Sequence, residues 1–429
     1  MREMKDSGIE WIGEIPKSWT ITILSALFSE RKCKNSGLTE NNLLSLSYGN
    51  IVRKNIESNE GLLPASFETY NIIEPGNIVF RLTDLQNDKR SLRTGLCQER
   101  GIITSAYVTL QIRSDDSPRY MHYLFHTYDL CKVFYGMGDG VRQGMNYEDL
   151  KRLRILRPDR ETQRRIANYL DRKCSQIDAI IARQQEVIEK LKAYKLSVIT
   201  EAVTKGLNPN VPMKNSGVEW IGEIPVHWDL IKATRIIIST QNGLSRRDLS
   251  KSTGKIVLKL RNISSNGEID YEYQNRIELT GQELDTYRLS DGDILFVRVN
   301  GSKSLVGKCA IFHSIGEDVA YNDHIIRVRI SEKCIEKFFF WYLLSICGKM
   351  EIDLHTSTSA GQYTISGEEL RDIRFILPPK IEQLEIDRYL SKMSRCIDKI
   401  IHQKQISIDE LSAYKKSLIF EVVTGKREV

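Results

Sequence analysis

Hydrophobic residues recur at two different spacings along this chain. Residues 161–204 contain neither proline nor glycine and place apolar side chains at heptad spacing, which predicts one helix of about 66 Å. The same pattern returns after Pro378 and Pro379. The two hydrophobic seams consist of Leu170, Cys174, Ile177, Ile181, Ile188, Leu191, Val198 and Ala202, and of Leu390, Ser394, Ile397, Ile401, Ile408, Leu411, Leu418 and Val422.

Polar residues interrupt both seams at equivalent positions. Gln184 and Lys404 form one such pair, and Lys195 and Lys415 form the other. Polar residues in a seam fix helix register and partner choice at some cost in stability. We therefore predict an antiparallel coiled coil between the two helices of one chain, with Gln184 and Lys404 near its crossing point. The alternative is that each helix packs only on its own domain.

Between the helical patterns the hydrophobic spacing is shorter and mixed. Residues 43–47, 77–82 and 107–113 alternate or cluster apolar side chains over strand lengths, and residues 120–134 return to helical spacing. A second mixed region ends before the second long helix. Each region is predicted to form a small domain of helix and sheet.

The chain also repeats itself. Residues 4–19 (MKDSGIEWIGEIPKSW) and 213–228 (MKNSGVEWIGEIPVHW) agree at twelve of sixteen positions, and residues 163–206 align without a gap on residues 383–426. The sequence is repeated at both ends of each copy and differs between them. This pattern indicates one frame that carries two different surfaces. We predict an α+β fold with pseudo-twofold symmetry. Its segments are a mixed α/β domain (1–158), a central long helix (159–206), a second mixed α/β domain (207–379) and a C-terminal long helix (380–429).

Composition narrows the class of protein. The chain of 429 residues is 41% hydrophobic and 28% charged, with a net charge of +6, which suits a mildly basic protein with a polyanionic partner. Six basic residues stand against one acid in residues 246–261. The charged start predicts no signal peptide, and the apolar run 338–344 is too short to span a membrane, so we expect a cytoplasmic protein. The eight cysteines form no CxxC pair and are predicted to be reduced and mostly buried.

Common catalytic motifs fail on inspection. The glycines of residues 134–140 follow a helical stretch instead of opening a βαβ unit, and residues 301–309 miss the P-loop spacing by one residue. The tetrapeptides of amino-methyltransferases and the HExxH metal motif do not occur. We therefore predict a binding protein that is not an enzyme and holds no metal.

Polar and basic residues remain as candidates for binding. Amide and guanidinium groups pair with base edges in the major groove, and cations pair with phosphates. The candidates are Gln86, Asn87, Lys89, Arg90, Arg93, Arg142, Gln143 and Asn146 in the first domain, and Arg246, Arg247, Arg298, Asn300, Ser302, Lys303, Gln362 and Tyr363 in the second. Because these loops diverge inside a preserved frame, we predict that they recognise different targets. The alternative is a set of solvated loops without a ligand.

With these motifs, the chain resembles the specificity subunits of type I restriction-modification systems. The resemblance rests on SGxEWIGEIPxxW in both copies, on PxxxxQ-x5-YL beginning at Pro158 and Pro378, and on AYKxSxIxExVT at residues 193–204 and 413–424. It implies two target recognition domains, each recognising one half of a bipartite, asymmetric double-stranded DNA sequence. It also implies that the paired helices set the spacer and dock methyltransferase subunits, two being expected.

The resemblance also assigns the chemistry to other subunits. S-adenosylmethionine would be held by the methyltransferase subunits, and ATP and Mg²⁺ by restriction and motor subunits, with no cofactor in this chain. The repeated tryptophan segments would anchor each domain against the helices or a partner subunit. Two alternatives stay open: a specificity subunit of a methyltransferase without a nuclease partner, and a coiled-coil scaffold whose globular ends bind proteins.

Overall fold

The chain forms two compact units that each include parts of both long helices. The computed structural model describes residues 2–55, 64, 66–85, 92–137, 144–246, 253–264, 266–359 and 361–429. Unit 1 comprises Met1–Gln185 and Gln405–Val429, and unit 2 comprises Glu186–Lys404. The predicted mixture of helix and sheet with two long helices is confirmed. None of the described helices is long and apolar enough to cross a membrane.

Unit 1 is built from short strands and one well-formed helix beside the long ones. Its strands are β1 (Met4–Asp6), β2 (Glu14–Pro16), β3 (Thr20–Ile23), β4 (Phe28–Glu30), β5 (Leu44–Ser47), β6 (Asn50–Arg53), β7 (Asn71–Ile73), β8 (Ile78–Phe80), β9 (Thr94–Leu96), β10 (Gly101–Ile103), β11 (Val108–Ile112) and β12 (Arg154–Arg157). Its helices are α1 (Leu24–Leu27), α2 (Pro118–Leu130), α3 (Tyr147–Leu150) and the first part of α4 (Arg160–Lys205), with a 3-10 turn at Val133–Gly136.

Four strands form the central sheet of unit 1. Their order is β4-β11-β8-β9, and all neighbours are antiparallel. Helix α2 covers this sheet with Tyr120, Leu124 and Phe125, which are buried together with Phe80. The period of these apolar residues in the sequence is helical, so the helix and the face it buries follow from the same pattern.

Unit 2 follows the same plan with additional strands. Its strands are β13 (Met213–Asn215), β14 (Glu223–Pro225), β15 (Asp229–Lys232), β16 (Ile237–Asn242), β17 (Lys255–Leu258), β18 (Arg276–Ile277), β19 (Ile294–Val297), β20 (Val299–Asn300), β21 (Cys309–Ile311), β22 (Val319–Tyr321), β23 (Ile325–Ile330), β24 (Ser357–Ser359), β25 (Gln362–Thr364) and β26 (Arg374–Leu377). Its helices are α5 (Gly281–Tyr287), α6 (Glu336–Leu344), α7 (Ile346–His355), α8 (Gly367–Asp372) and the first part of α9 (Lys380–Val423), with 3-10 turns at Ala233–Arg235, Leu260–Asn262 and Lys303–Leu305.

The central sheet of unit 2 has the same strand order as that of unit 1. Its order is β16-β23-β19-β21, again antiparallel, with strands that take the corresponding places. Outside this sheet the units differ. Unit 1 has the hairpin β5-β6, whereas unit 2 has the sheet β18-β17-β22, which includes a parallel pair, and the sheet β20-β25-β24.

Both repeated tryptophan segments are buried against the long helices. In unit 1, Trp19 belongs to the same core as Val422 of α9. In unit 2, Trp228 belongs to the same core as Val203 of α4. The predicted anchoring of the segments on the helices is therefore seen in each unit.

A glycine with positive φ follows each long helix beside this tryptophan. Gly425 has φ +73°, and a Cβ atom there would lie 3.0 Å from Cη2 of Trp19. Gly206 has φ +77°, and its Cβ atom would lie 3.1 Å from Cζ2 of Trp228. Both the left-handed backbone and the close contact favour glycine at the end of a helix.

One buried glutamine fixes the start of each long helix. The side-chain amide of Gln163 donates to the carbonyl oxygen of Pro158 (2.9 Å) and to Oδ1 of Asp116 (2.6 Å). In the second copy, Gln383 donates to the carbonyl oxygen of Pro378 (2.8 Å) and accepts from the amide of Ile335 (2.8 Å). Because each buried amide has its partners, the repeated glutamine is a structural residue.

Lysine–aspartate pairs join the two long helices within each unit. In unit 2, Nζ of Lys195 lies 2.7 Å from Oδ2 of Asp398, and in unit 1, Nζ of Lys415 lies 2.7 Å from Oδ2 of Asp178. The two pairs occupy equivalent positions in the repeat. In each pair the lysine lies near the C-terminal end of one helix and the aspartate lies nearer the N-terminal end of the other. The helices therefore run antiparallel, as predicted. That Gln184 lies near a crossing point stays a prediction.

Candidate nucleic-acid interface

Two predicted loops of unit 2 meet in one small antiparallel sheet. Asn300 on β20 pairs with Tyr363 on β25, and β24 extends the sheet on the other side of β25. At its base, the amide of Ile365 donates to the carbonyl oxygen of Arg298 at 3.0 Å. Residues that are more than sixty positions apart in the sequence thus share one surface. We refer to β20, β24, β25 and residues 301–304 as the polar sheet.

The polar sheet presents mostly short polar side chains to solvent. Ser302, Lys303 and Gln362 are exposed, whereas Asn300 and Tyr363 are half-buried. Oδ1 of Asn300 accepts from the amide of Ser302 at 3.0 Å, which fixes the turn that carries Lys303. Lysine ammonium, amide and hydroxyl groups can hydrogen-bond both to phosphates and to base edges.

Arg298 is less available than its neighbours on the polar sheet. It is half-buried, and its Nη1 donates to the carbonyl oxygen of Asp323 at 3.1 Å. Its main chain holds the base of the sheet, so both parts of this residue have structural partners. Its predicted contact with DNA stays a prediction.

Unit 1 brings its two predicted loops together by the same contact. The amide of Met145 donates to the carbonyl oxygen of Leu82 at 3.0 Å, at the positions that correspond to Ile365 and Arg298 in unit 2. The loops that extend from this contact carry most of the predicted binding residues of unit 1. Gln86, Asn87, Lys89, Arg90, Arg142 and Gln143 lie outside the described residues.

The prediction that Arg93 contacts DNA is wrong. Its side chain is fully buried, with Nη1 donating to the carbonyl oxygen of Thr83 (2.7 Å) and Nη2 to that of Asp84 (3.2 Å). A guanidinium group satisfies several carbonyls of a loop at once, because it presents five donors in a plane. Arg93 was predicted to contact DNA from an exposed loop, but it stabilises the backbone at the start of that loop from inside the protein. Nothing in its sequence position distinguishes it from an exposed cation.

Asn146 has a structural partner that the sequence did not indicate. Its Oδ1 accepts from the amide of Glu148 at 2.7 Å and caps helix α3. The corresponding Ser366 caps helix α8 by accepting from the amide of Glu369 at 3.2 Å. Short polar side chains satisfy the free amides at a helix start. The equivalence of the two caps explains why a polar residue recurs there, and the predicted contact of Asn146 with DNA stays a prediction.

Acidic residues offset the predicted basic footprint of residues 246–261. Nη1 of Arg246 lies 3.0 Å from Oε1 of Glu283, and Nζ of Lys255 lies 2.8 Å from Oδ2 of Asp318. The backbone amide of Thr280, followed by Arg246, lowers the pKa of Glu283 below its usual value. Glu283 and Asp318 lie outside residues 246–261 in the sequence but pair with cations of this segment in the structure. The net charge of the segment alone therefore overestimates the positive charge of the surface. Arg247 lies outside the described residues.

Sequence reasoning predicted β5 but missed strand β24 and strand β6, with which β5 forms a hairpin. Ser357 and Thr358 are exposed on β24, and Oγ of Ser357 lies 3.1 Å from Oγ1 of Thr364 on β25. A short run of serine and threonine has no alternation of hydrophobic and polar residues, so its sequence does not predict a strand. In the hairpin, Tyr48 is 80% exposed.

Most of the cysteines lie inside the protein. Cys97, Cys174, Cys309, Cys334 and Cys347 are buried, which confirms the predicted mostly buried thiols. Burial raises the pKa of Cys309 to about 12, so its thiol is protonated and unsuited to the magnesium role of a P-loop. In the part of the chain that the structure describes, no cluster of His, Cys, Asp and Glu is arranged to hold a metal ion.

These observations define a class of proteins in which one repeated frame carries loops of two different sequences. Residues 244–410 match the family described as Type I restriction modification DNA specificity domain. The chain is 28% identical to the type I restriction enzyme StySPI specificity subunit of Salmonella potsdam over 270 residues, and 25% identical to the EcoKI specificity subunit of Escherichia coli K12 over 272 residues. Each match covers 63% of this chain and 56% of the relative.

A solved structure extends the likeness to the whole fold. A chain from work on complex assembly and conformational transition of the type I R-M system aligns with a TM-score of 0.71, covering 96% of this chain and 99% of its own length at 13% identity. The comparisons confirm the resemblance found in the sequence: this chain is similar to the specificity subunits of type I restriction enzymes, and residues 244–410 match the model of their DNA specificity domain.

Proposed function

We propose that this protein is the DNA-recognition subunit of a type I restriction-modification complex and that each unit recognises one half of a bipartite, asymmetric target. One observation carries the proposal. The Leu82–Met145 contact of unit 1 and the Arg298–Ile365 contact of unit 2 are the same, yet the segments that extend from them differ. A shared frame with different polar surfaces suits two half-sites of different sequence.

The proposed binding combines phosphate contacts with base contacts. Lys303 and the cations of the unit 1 loops would pair with phosphates, which makes affinity sensitive to salt. Asn300, Ser302 and Gln362 carry groups that hydrogen-bond to base edges, and a good bidentate pair contributes roughly 1 to 3 kcal/mol of discrimination. On this proposal the protein itself catalyses nothing.

The surfaces of the long helices support docking of two copies of one partner. Ile180 and Ile400 are 46% and 37% exposed, and Tyr194 and Tyr414 are 53% and 49% exposed. The members of each pair occupy equivalent positions in the repeat. Exposed apolar side chains that recur in both copies fit a partner that binds twice. We propose that this partner is a methyltransferase subunit.

The remaining chemistry would be supplied by the partner subunits. The methyltransferase subunits would hold S-adenosylmethionine and modify the DNA, and restriction and motor subunits would use ATP and Mg²⁺. The paired helices would set the spacer between the half-sites. This division assigns sequence recognition to the present chain and all covalent steps to its partners.

A domain exchange tests the proposal. Residues 20–158 are replaced with the corresponding recognition domain of another specificity subunit, and the methylated sequence of the host genome is determined. The segment contains both β3 and β12, which pair with each other, so the exchange keeps that sheet intact. We expect one half of the methylated sequence to change and the other half and the spacer to stay.

A reciprocal exchange is the matched control. Replacing residues 229–379, which contain the paired strands β15 and β26, should change only the other half. If either chimera assembles and methylates the original sequence, the assignment of one unit to one half-site is wrong.

A further inference from the structure

The tip of the hairpin β5-β6 has an unusual combination of residue type and backbone conformation. Ser47 pairs with Asn50, which leaves Tyr48 and Gly49 as a loop of two residues. Their φ angles are +45° and +81°. Positive φ at both loop residues is the mark of the type I′ turn, which favours Asn or Asp followed by Gly. A tyrosine in the first position is conformationally unfavourable there, because its Cβ atom crowds the backbone.

The side chain gains no burial in return for this conformation. Tyr48 is 80% exposed, which makes it the most exposed large hydrophobic side chain among the described residues. Asn50 holds the turn by donating from Nδ2 to the carbonyl oxygen of Tyr48 at 3.4 Å. A strained residue that contributes nothing to the core suggests that the aromatic ring serves a purpose outside the fold.

The hairpin places the turn of Tyr48 and Gly49 beside Leu92. A Cβ atom on Gly49 would lie 3.1 Å from Cδ1 of Leu92, the first described residue after the proposed DNA-binding loop of unit 1. A Cβ atom on Gly95 of β9 would lie 2.6 Å from Cδ1 of Leu46, so the hairpin packs closely on β9. Both contacts hold the turn close to Leu92 and to strand β9.

The surroundings of Tyr48 favour a nucleobase as its partner. The residues on both sides of the turn are polar, with Ser47 before it and Asn50 after it. A protein partner would call for a wider apolar surface around the anchor residue. One isolated ring on a narrow turn fits instead between two base pairs, where proteins insert single apolar side chains and stack aromatic rings on bases.

We propose that Tyr48 inserts at one base step of the half-site recognised by unit 1 and stacks on a nucleobase, which makes it a specificity-determining residue. The inference rests on the proposed function. Pyrimidine–purine steps unstack most easily, so such a step is expected opposite Tyr48. Specificity would then arise from the cost of opening the step as well as from hydrogen bonds to base edges.

Two substitutions separate this role from a structural one. Tyr48→Phe keeps the ring and Tyr48→Asn removes it, while Asn suits the type I′ turn better than Tyr. The full chain, with any subunits that accompany it in purification, first selects a target from a pool of randomised DNA duplexes. Binding and fluorescence are then measured on that duplex with 2-aminopurine placed at successive positions, because the brightness of this base changes when its stacking partner changes.

The expected result is a fluorescence change at one step with the wild type and with Tyr48→Phe. Tyr48→Asn should bind about tenfold more weakly, as expected for the loss of one stacked base, and should give no such change. Its unfolding midpoint should equal or exceed that of the wild type. Unchanged affinity of Tyr48→Asn, or the same fluorescence change in this variant, overturns the inference and leaves the proposed function intact. Failure of the wild type to select any sequence contradicts the proposed function itself.

Discussion

Arg93 lies at the base of a proposed DNA-binding loop, yet it acts from inside the protein. Its guanidinium group donates to the carbonyl oxygens of Thr83 and Asp84 and is fully buried. Polar groups buried in a loop need partners, because each one that is left without a hydrogen bond costs free energy. The residue therefore fixes the backbone from which the loop extends, and on the proposed function it would support binding from there.

Removal of this guanidinium group should destabilise unit 1. We expect Arg93→Met to lower the free energy of unfolding by about 2 to 4 kcal/mol, since several buried carbonyls lose their donor while the volume of the side chain is partly kept. Urea unfolding of the full chain measures the change. Arg113→Met is the control, because Arg113 is exposed, and it should change the free energy little. Equal effects of the two substitutions would show that Arg93 has no such role.

At the scale of elements, the same ion pair joins the long helices in both units. Asp178 meets Lys415 in unit 1, and Lys195 meets Asp398 in unit 2. The pairs are partly exposed, so they contribute little to stability and more to the choice of register. The heptad seams alone allow neighbouring registers seven residues apart, and oppositely charged residues distinguish between them.

Charge reversal tests this register. Lys415→Asp places two carboxylates together and should lower the free energy of unfolding by about 1 kcal/mol. The double variant Asp178→Lys, Lys415→Asp restores the opposite charges and should recover most of that loss, which a double-mutant cycle quantifies. Lys416→Asp changes the same charge at the next, exposed position and serves as the control. A double variant that is no more stable than Lys415→Asp would contradict the pairing.

The local spacing of hydrophobic residues predicted the long helices, but it did not predict the polar sheet. The heptad period runs through α4 and α9, so their existence and pairing could be predicted from the sequence. The polar sheet joins a strand of two residues to a strand more than sixty positions away, which no local period reveals. The roles of Arg93 and Asn146 were decided by burial and by a helix start. Residue type alone could not separate those roles from DNA contact.

In the whole molecule, the length of the long helices is the quantity that the proposed function relates to the spacer of the DNA target. If they set the spacer of the DNA target, a change in helix length should change the spacer. Deletion of seven residues removes about 10.5 Å of helix, which corresponds to roughly three base pairs of DNA. The heptad period is kept, so the apolar seam stays continuous.

Deletion of residues 179–185 together with residues 399–405 tests this connection. Because seven residues leave each helix, the pairs Asp178–Lys415 and Lys195–Asp398 keep one common antiparallel register. We expect the methylated sequence to keep both half-sites with a spacer about three base pairs shorter. Deletion of residues 179–185 alone is the control, since it sets the two pairs seven residues out of register and should destabilise the helix pair. A double deletion that methylates DNA with the original spacer would show that helix length does not set the distance between the half-sites.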